Sequence, residues 1–488
     1  MTRGYGTLAP VTDVDPSSAT PHEGSAPALT ADDLVGSTGG RLLARSDRPI
    51  RGAAVDSRRV GRQELFVALP GERTDGHAYL AEAVERGASA LVVTRPPVDA
   101  VGLGDVTVVR VADAVAALGA IAADWRRRFE PLVVGITGSI AKTSTKEAVA
   151  AVVGAVRPTL KSEGNHNNEI GLPLTLLRLG PEHQAAVLEM GMYTTGEIAD
   201  LAEMARPSIG VITAVQAVHL ARLGSLEAIE RAKGELLEAL PADGTAILNA
   251  DDPIVTRMDR RTAARSLRYG FAEEADVRAV EVESAGLDGM RFRLRTPVGS
   301  REISIPGLGR LSVHNALAGA AVGVAAGIDL DAIAGGLAGG WGAAHRVELV
   351  RLGRTTIIDD SYNASPGSML AALDVLGGLP GRHVAVLGEM LELGEGHEAG
   401  HRSVGDAARA VADLLIVVGE KATGIADAAR DAGLDPGRIH LVRDADAALD
   451  ALRPRLRDGD VALVKGSRGI GLDALVDALR LELGASAP

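Results

Sequence analysis

Leu132-Val-Val-Gly-Ile-Thr-Gly-Ser-Ile-Ala-Lys-Thr-Ser-Thr-Lys-Glu147 decides how the rest of this chain is read. A short apolar run interrupted by Gly135 has strand character. Gly138 then opens a turn, and Lys142-Thr143 stands where a helix begins. Strand, glycine turn and helix N-terminus in that order make a phosphate cradle, because the first-turn N–H groups have no acceptor within the helix and point at an anion. Gly135, Gly138, Ser139 and Ser144 enter this reading as the loop and its flanks. Lys142 adds a compact positive charge, and the Thr143 hydroxyl is placed to hold the Mg²⁺ that accompanies ATP. Ala141 stands where the general motif has glycine. Alanine is strained there if the backbone is left-handed and tolerated if it is not.

The 488 residues suffice for about three domains at roughly 100–200 residues each. Hydrophobic residues make up 46% but aromatics only 2%, so the cores must be built from Ala, Val, Leu and Ile. A net charge of −13 argues against a nucleic-acid surface, which is normally basic. The chain has no cysteine, which excludes disulfides and thiolate metal sites and leaves oxygen and imidazole as metal ligands. The first residues carry no apolar signal core. The Ala/Gly-rich stretch 316–341, interrupted by Asp329 and Asp331, reads as packed helices instead of a membrane span. A cytoplasmic monomer without membrane insertion is expected.

The fold class is α/β in three domains. Residues 1–27, rich in Pro, Ser, Thr and Gly, read as a disordered tail. Residues 28–120 form a small α/β unit with strands near 64–69 and 90–94 and a helix near 78–86. Residues 121–343 alternate strand and helix, which implies a mainly parallel, doubly wound sheet with strands at 132–136, 185–189, 209–215 and 245–249. Ligands gather at the carboxyl ends of such strands. Those ends carry Lys142 and Thr143, Glu189, His219, and Asn249 with Asp251 and Asp252. Residues 344–488 indicate a Rossmann-like domain with strands at 355–360, 383–387, 414–418, 439–442 and 461–464. Asp359, Asp360, Glu389 and Lys465-Gly-Ser-Arg468 lie at their ends.

Glu189 finishes an apolar strand, and a carboxylate there is partly buried and needs a partner. His219 is equally readable as a histidine satisfied by local hydrogen bonds. Lys233, in Ile229-Glu-Arg-Ala-Lys-Gly-Glu235, reads from composition as a solvated lysine on a charged helix. Asn165, Asn167 and Asn168 read as a tight polar loop.

Taken in order, Gly135-Ile-Thr-Gly-Ser-Ile-Ala-Lys-Thr143, Gly164-Asn-His-Asn-Asn-Glu-Ile-Gly171, Glu189-Met-Gly-Met192, Val218-His-Leu220, Ala232-Lys-Gly-Glu235 and Asn249-Ala-Asp-Asp252 resemble the Mur ligase family. Asp359-Asp-Ser-Tyr-Asn-Ala-Ser-Pro366 and Leu387-Gly-Glu-Met-Leu-Glu-Leu-Gly394 resemble its D-alanyl-D-alanine-adding branch. Asp56-Ser-Arg58 and the segment from Leu65 to His77 resemble its nucleotide-sugar domain. The resemblance covers all but the tail.

It implies an ATP-dependent amide ligase of peptidoglycan precursor synthesis. ATP would phosphorylate the carboxylate of a UDP-N-acetylmuramoyl-tripeptide, and the amine of D-alanyl-D-alanine would attack the acyl phosphate. The resemblance further implies that Lys142 and Thr143 hold the phosphates and a first Mg²⁺, that Glu189 ligates Mg²⁺, and that His219 assists a second ion. Lys233 matches a carbamylated lysine that supplies an oxygen ligand. Asn315 matches an adenine contact, Asp360 a ribose contact, and Arg346 a residue that reaches the phosphates when the domains close. Ser57, Arg58, Asn167 and Asn168 fall on the substrate side. The chain departs from the family pattern at Ala141, at Ala318, where a second asparagine often follows Asn315, and at Ser365, which replaces an asparagine. The alternatives are a relative with another amino acceptor and a degenerate nucleotide-binding protein. Retention of Glu189, His219 and Lys233 weighs against the second.

Overall fold

The structure, a computed structural model, describes residues 27–71, 74–97, 102–216 and 224–483. His219 and residues 1–26 of the expected tail lie outside the described residues. Three sheets organise the chain.

The first sheet contains β1 (Arg41–Ala44), β2 (Ala53–Ala54), β3 (Leu65–Val67), β4 (Ala90–Val93) and β5 (Thr107–Arg110), in the order β1-β5-β4-β3-β2. Only β1 is antiparallel to its neighbour. The apolar runs of β3 and β4 are buried throughout, as strands covered on both faces must be. Helices α1 (Ala31–Thr38), α2 (Leu80–Glu85) and α3 (Ala114–Arg126) accompany them. The helix expected at 78–86 begins as a 3-10 turn, Gly76–Tyr79, started by the Asp75 carboxylate accepting the His77 N–H. The expected division after Ala120 falls inside α3. Leu118, Ile121 and Trp125 of that helix share one core with Leu65 and Val92 of the first sheet and with Leu176 and Leu201 of the next unit. Trp125 also donates its indole N–H to the Leu179 carbonyl at 2.9 Å. A continuous helix, not a linker, carries the chain between these units.

The central sheet has nine strands: β6 (Leu132–Thr137), β7 (Thr159–Lys161), β8 (Ala185–Glu189), β9 (Ile209–Ile212), β10 (Thr245–Asn249), β11 (Arg265–Gly270), β12 (Val277–Ser284), β13 (Met290–Thr296) and β14 (Gly299–Ile305). Their order is β14-β13-β12-β11-β10-β9-β6-β8-β7. From β7 to β12 every pairing is parallel, as expected. The antiparallel pairs β12–β13 and β13–β14 are an extension that the alternating strand-helix reading did not contain. Met290, Phe292 and Leu294 of β13 turn inward while Arg291, Arg293 and Arg295 turn outward, the period-two pattern of a sheet with one wet face.

Helices α4 (Lys142–Gly154), α5 (Gly171–Leu176), α6 (Glu197–Ala205), α7 (Leu226–Glu238), α8 (Pro253–Thr256), α9 (Gly309–Ala325) and α10 (Leu330–Ala338) complete the unit. Residues of α4, α9 and α10 share the core on one face of the sheet, and those of α3, α5, α6 and α7 share the core on the other. The Ala/Gly-rich stretch is thus packed helix. Among the described residues, no helix is long and apolar enough to cross a membrane.

The third sheet contains β15 (Glu348–Leu352), β16 (Thr355–Asp360), β17 (Arg382–Gly388), β18 (Leu414–Val418), β19 (Ile439–Val442) and β20 (Asp460–Lys465), in the order β15-β16-β20-β17-β18-β19. Only β15 runs antiparallel. Helices α11 (Pro366–Gly377), α12 (His397–Val411) and α13 (Thr423–Asp431) cover one face, and α14 (Ala445–Leu452) and α15 (Leu472–Leu483) the other. Ser365 caps α11 by accepting the Ser368 N–H, so a good N-cap residue stands where the family pattern has asparagine. Ala318 is fully buried within α9.

Candidate active site

The chain leaves β6 through Gly138 at φ +156, where an added Cβ would lie 1.8 Å from Thr213 Oγ1. Only glycine fits that close approach. Thr213 Oγ1 donates to the Ile140 carbonyl at 2.6 Å, and the Ser139 N–H donates to the Ala214 carbonyl at 2.8 Å. The Ser139 hydroxyl donates to the Gln216 carbonyl at 3.1 Å and accepts the Gln216 N–H at 2.9 Å. The turn is therefore stitched to the end of β9, its neighbour in the sheet. Ala141 is left-handed, at φ +63 and ψ 4, and has no side chain to cap α4. The first helical bond runs from the Thr145 N–H to the Ala141 carbonyl, at 2.9 Å. The N–H groups of Lys142, Thr143 and Ser144 are thereby left for an anion.

Lys142 Nζ donates to the Gly138 carbonyl at 2.7 Å and the Ser139 carbonyl at 3.4 Å. Burial lowers its pKa, the Glu189 carboxylate opposes that shift, and the Arg346 charge reinforces it. Gly135 is a correction to the cradle as read from sequence. It sits inside β6, where a Cβ would approach Leu236 of α7 at 2.9 Å, so it makes room for a helix and not for a phosphate.

Glu189 ends β8, in register with Ile136 of β6. It is 2% exposed; its Oε1 accepts from Asn167 Nδ2 at 2.7 Å, and its Oε2 is buried without a hydrogen-bond partner among the described residues. Asn168 turns elsewhere. Its Oδ1 accepts the N–H of Ile170 at 3.3 Å and of Gly171 at 2.9 Å, which starts α5. The tight-loop reading thus describes Asn168, while Asn167 reaches the carboxylate.

Lys233 overturns its reading from composition. Ile229, Ala232, Lys233, Leu236 and Leu237 form the buried face of α7, whereas Glu227, Arg231 and Glu238 face outward. Burial, and then the Lys142 charge, push the Lys233 ammonium well below its ordinary pKa. Glu235, two residues on, accepts the Gly196 N–H at 2.7 Å and the Ala199 N–H at 3.1 Å, and so fastens α6 to α7. A buried carboxylate oxygen without a donor among the described residues, the hydroxyl of the buried Thr143 and an amine disposed to be neutral fit a hard divalent cation held on oxygen.

The C-terminal unit faces this cradle through Arg346, whose guanidinium lies 4.2 Å from the Tyr362 ring centroid. Arg468 stacks on the same ring at 4.9 Å. Asp360 Oδ2 accepts from Lys465 Nζ at 2.6 Å, and that ammonium also donates to the Asn363 carbonyl at 2.9 Å. The two residues are paired across β16 and β20. Sequence reasoning placed Lys465 only at a strand end; its position beside Asp360 on the adjacent parallel strand was the available signal.

Asn315 is 4% exposed, and its Oδ1 accepts from Thr145 Oγ1 of α4 at 3.1 Å. Its neighbour His314 is half-buried, with Nε2 3.0 Å from Asn249 Oδ1, beside the Tyr269 and Phe271 rings. Ser57 is buried and donates to Glu82 Oε2 at 2.9 Å. Arg58 is exposed and pairs with Asp56 at 2.7 Å. Arg59, which sequence reasoning passed over, lies near the central unit: burial lowers the His166 pKa and the Arg178 hydrogen bond lowers that of Glu163 against burial, and the Arg59 charge adds to both.

The chain matches the Mur ligase middle domain over residues 136–323, the Mur ligase glutamate ligase domain over 345–468 and the Mur ligase family catalytic domain over 49–126. It belongs to the Mur ligase family. Its relatives narrow the class. The UDP-N-acetylmuramoyl-tripeptide--D-alanyl-D-alanine ligase of Escherichia coli is 38% identical over 444 residues, covering 90% of this chain and 95% of the relative. The ligase of the same name from Mycobacterium bovis is 39% identical over 464 residues, covering 87% and 91%. MurF from Acinetobacter baumannii superposes with a TM-score of 0.84 at 31% identity, covering 94% of this chain and all of that one. MurF ligase from Thermotoga maritima, solved in complex with ADP, gives a TM-score of 0.77 at 28% identity, covering 89% and 98%.

Proposed function

We propose that this chain joins D-alanyl-D-alanine to a UDP-N-acetylmuramoyl-tripeptide at the expense of ATP, a cytoplasmic step of peptidoglycan precursor synthesis. The observation that carries the reading is the pairing of a phosphate cradle at 138–144 with the unpartnered Glu189 oxygen and the buried Lys233 amine. The unit built on the first sheet takes the UDP end of the substrate, with Ser57 and Arg58 on that side. The unit of the central sheet binds ATP, and the unit of the third sheet brings Arg346 and Asp360 to the nucleotide.

A carboxylate is a poor acyl donor until one oxygen becomes part of a leaving group. Its oxygen attacks the γ-phosphorus and ADP departs; the dipeptide amine then attacks the carbonyl carbon and phosphate departs. Lys142 and the first-turn N–H groups of α4 orient the phosphates, and Arg346 adds charge from the opposite side. Asn167 holds one oxygen of Glu189 and so aims the other. Thr143, Glu189 and Lys233 would hold Mg²⁺, with His219 assisting a second ion, and the metal would supply charge neutralisation to the crowded phosphates. Lys233 serves as an oxygen donor once CO₂ adds to its neutral amine with loss of a proton, and its lowered pKa favours that amine.

The test is ADP release with UDP-N-acetylmuramoyl-tripeptide, with and without D-alanyl-D-alanine. Release that needs both substrates supports the reading. Release with another amine but not with this dipeptide assigns the chain a different acceptor.

A further inference from the structure

Two residues other than glycine hold left-handed backbone on either side of Arg346: His345 at φ +61 and Val347 at φ +53. For a β-branched valine that region is a true outlier. The bonds that hold this segment are made by His345. His345 Nδ1 lies 2.7 Å from Oδ2 of Asp359, a fully buried carboxylate at the end of β16. The other oxygen of Asp359 accepts the Ser361 N–H at 3.1 Å and the Ser361 hydroxyl at 2.6 Å. The His345 N–H donates to Glu348 Oε2 at 3.2 Å, and the His345 carbonyl accepts the Tyr362 N–H at 3.1 Å. Tyr362 is the ring on which the Arg346 guanidinium rests. One residue therefore ties the segment that crosses from the central unit both to β16 and to the platform under Arg346.

His345, Glu348 and Asp359 lie close enough together to hold a metal ion. Arg480 of α15, however, lies 2.7 Å from Glu348 and 3.7 Å from Asp359, so a guanidinium already balances these carboxylates. The cluster is better explained as a latch.

We propose that His345 is a positioning residue for Arg346: paired with Asp359, its imidazole fixes the crossing segment in the conformation that turns Arg346 toward the phosphate cradle. This rests on the reading of Arg346 as a phosphate contact. The groups facing the imidazole are Asp359, Glu348 and Arg480, with Asp473 and Asp477 of α15 beyond them. The hydrogen bond that the imidazole donates to Asp359 raises the His345 pKa, burial opposes the shift, and the carboxylates of Asp477 and Asp473 add to it. A raised imidazole pKa means that the latch is complete below the ordinary value of about 6.5 and loosens as pH rises through the higher folded value.

The experiment measures the dissociation constant of a non-hydrolysable ATP analogue with Mg²⁺ and UDP-substrate present, from pH 6 to 9. The full chain is compared with His345→Ala, His345→Asn and Arg346→Ala, each checked by thermal melting. Asparagine accepts left-handed backbone, and its Nδ2 stands as many bonds from Cα as the imidazole Nδ1, so it can give Asp359 a neutral donor. The expected result is nucleotide binding about tenfold or more weaker in His345→Ala with UDP-substrate affinity unchanged, and substantial recovery in His345→Asn. The native chain loses affinity with rising pH relative to His345→Asn, whose latch does not titrate. Parallel pH profiles for those two proteins, native nucleotide affinity in His345→Ala, or an equal loss for both ligands would overturn the proposal. Native affinity in Arg346→Ala would instead remove the reading of Arg346, and this inference with it.

Discussion

The cradle loop at 138–143 and the crossing segment at 343–348 each place a residue other than glycine, Ala141 and His345, in left-handed backbone, and they do so on different terms. At Ala141 the residue contributes only a methyl group, and its conformation is imposed from outside by Gly138, by the Ser139 bonds and by Thr213. At His345 the side chain itself makes the bond that sets the backbone. A left-handed position filled by alanine marks a loop held by its neighbours. One filled by a polar residue marks a contact. The same kind of substitution should therefore relieve strain in the first region and release a functional group in the second.

The largest effect tests whether the cradle is the nucleotide site at all. Lys142→Ala removes the charge that offsets the phosphates, while among the described residues the hydrogen bonds it deletes are to two carbonyls of its own loop. Turnover measured by ADP release should fall roughly a thousandfold with the melting temperature little changed. Near-native turnover would move the site elsewhere and leave the comparison without its first member.

Lys233 comes next. Lys233→Ala should lower turnover about a hundredfold, and formate or acetate at high concentration should restore part of it by offering an oxygen in the vacated space. Lys233→Arg should be inactive and unrescued, since guanidinium keeps the wrong charge and fills the pocket. Full activity of the alanine variant would mean that this buried amine serves packing alone.

What the sequence made legible follows from burial. β6, β8 and β10 are runs apolar on both faces, and the residues closing β6 and β8 could be assigned to a shared edge before any coordinates. β13 could not be read that way, because its arginines alternate with its buried residues and dilute the apolar signal. Lys233 was misread for a related reason: composition counts charges on a helix but does not say which face packs on the sheet. At 141 the motif glycine replaced by alanine raised the question of positive φ without answering it, and nothing near 345 raises it, since neither glycine nor asparagine stands there. Arg59 lay one residue beyond the matched Asp56-Ser-Arg58 and escaped notice, although its charge joins that of Arg178 at the loop carrying Glu163 and His166.

A smaller effect sharpens the second region through stability. His345 has a raised folded pKa, so its contribution is present in full below about pH 6.5 and is lost as pH climbs through the folded value. The native chain should then lose more stability than His345→Asn between pH 6 and pH 9. Denaturant midpoints at the two pH values measure it. Equal losses would mean that the imidazole–carboxylate contact carries no charge.

The smallest effect belongs to Ala141. Two terms oppose each other in Ala141→Gly. Removing Cβ from a residue at φ +63 relieves a steric cost of roughly 1–2 kcal/mol. Glycine also gives the unfolded chain more conformations to lose, which costs about 0.4–1 kcal/mol. The difference favours glycine by about 0.5–1 kcal/mol, and a shift in denaturant midpoint reads it directly. Nucleotide affinity should hold or tighten slightly, because the N–H groups of Lys142 to Ser144 that meet the phosphates keep their place. The contrast with the crossing segment lies in the sign: removing the side chain stabilises the protein here, while truncating His345 to alanine weakens both the fold and nucleotide binding. A destabilised Ala141→Gly would show that the methyl group makes a contact the loop depends on, and the two left-handed regions would then be held in the same way.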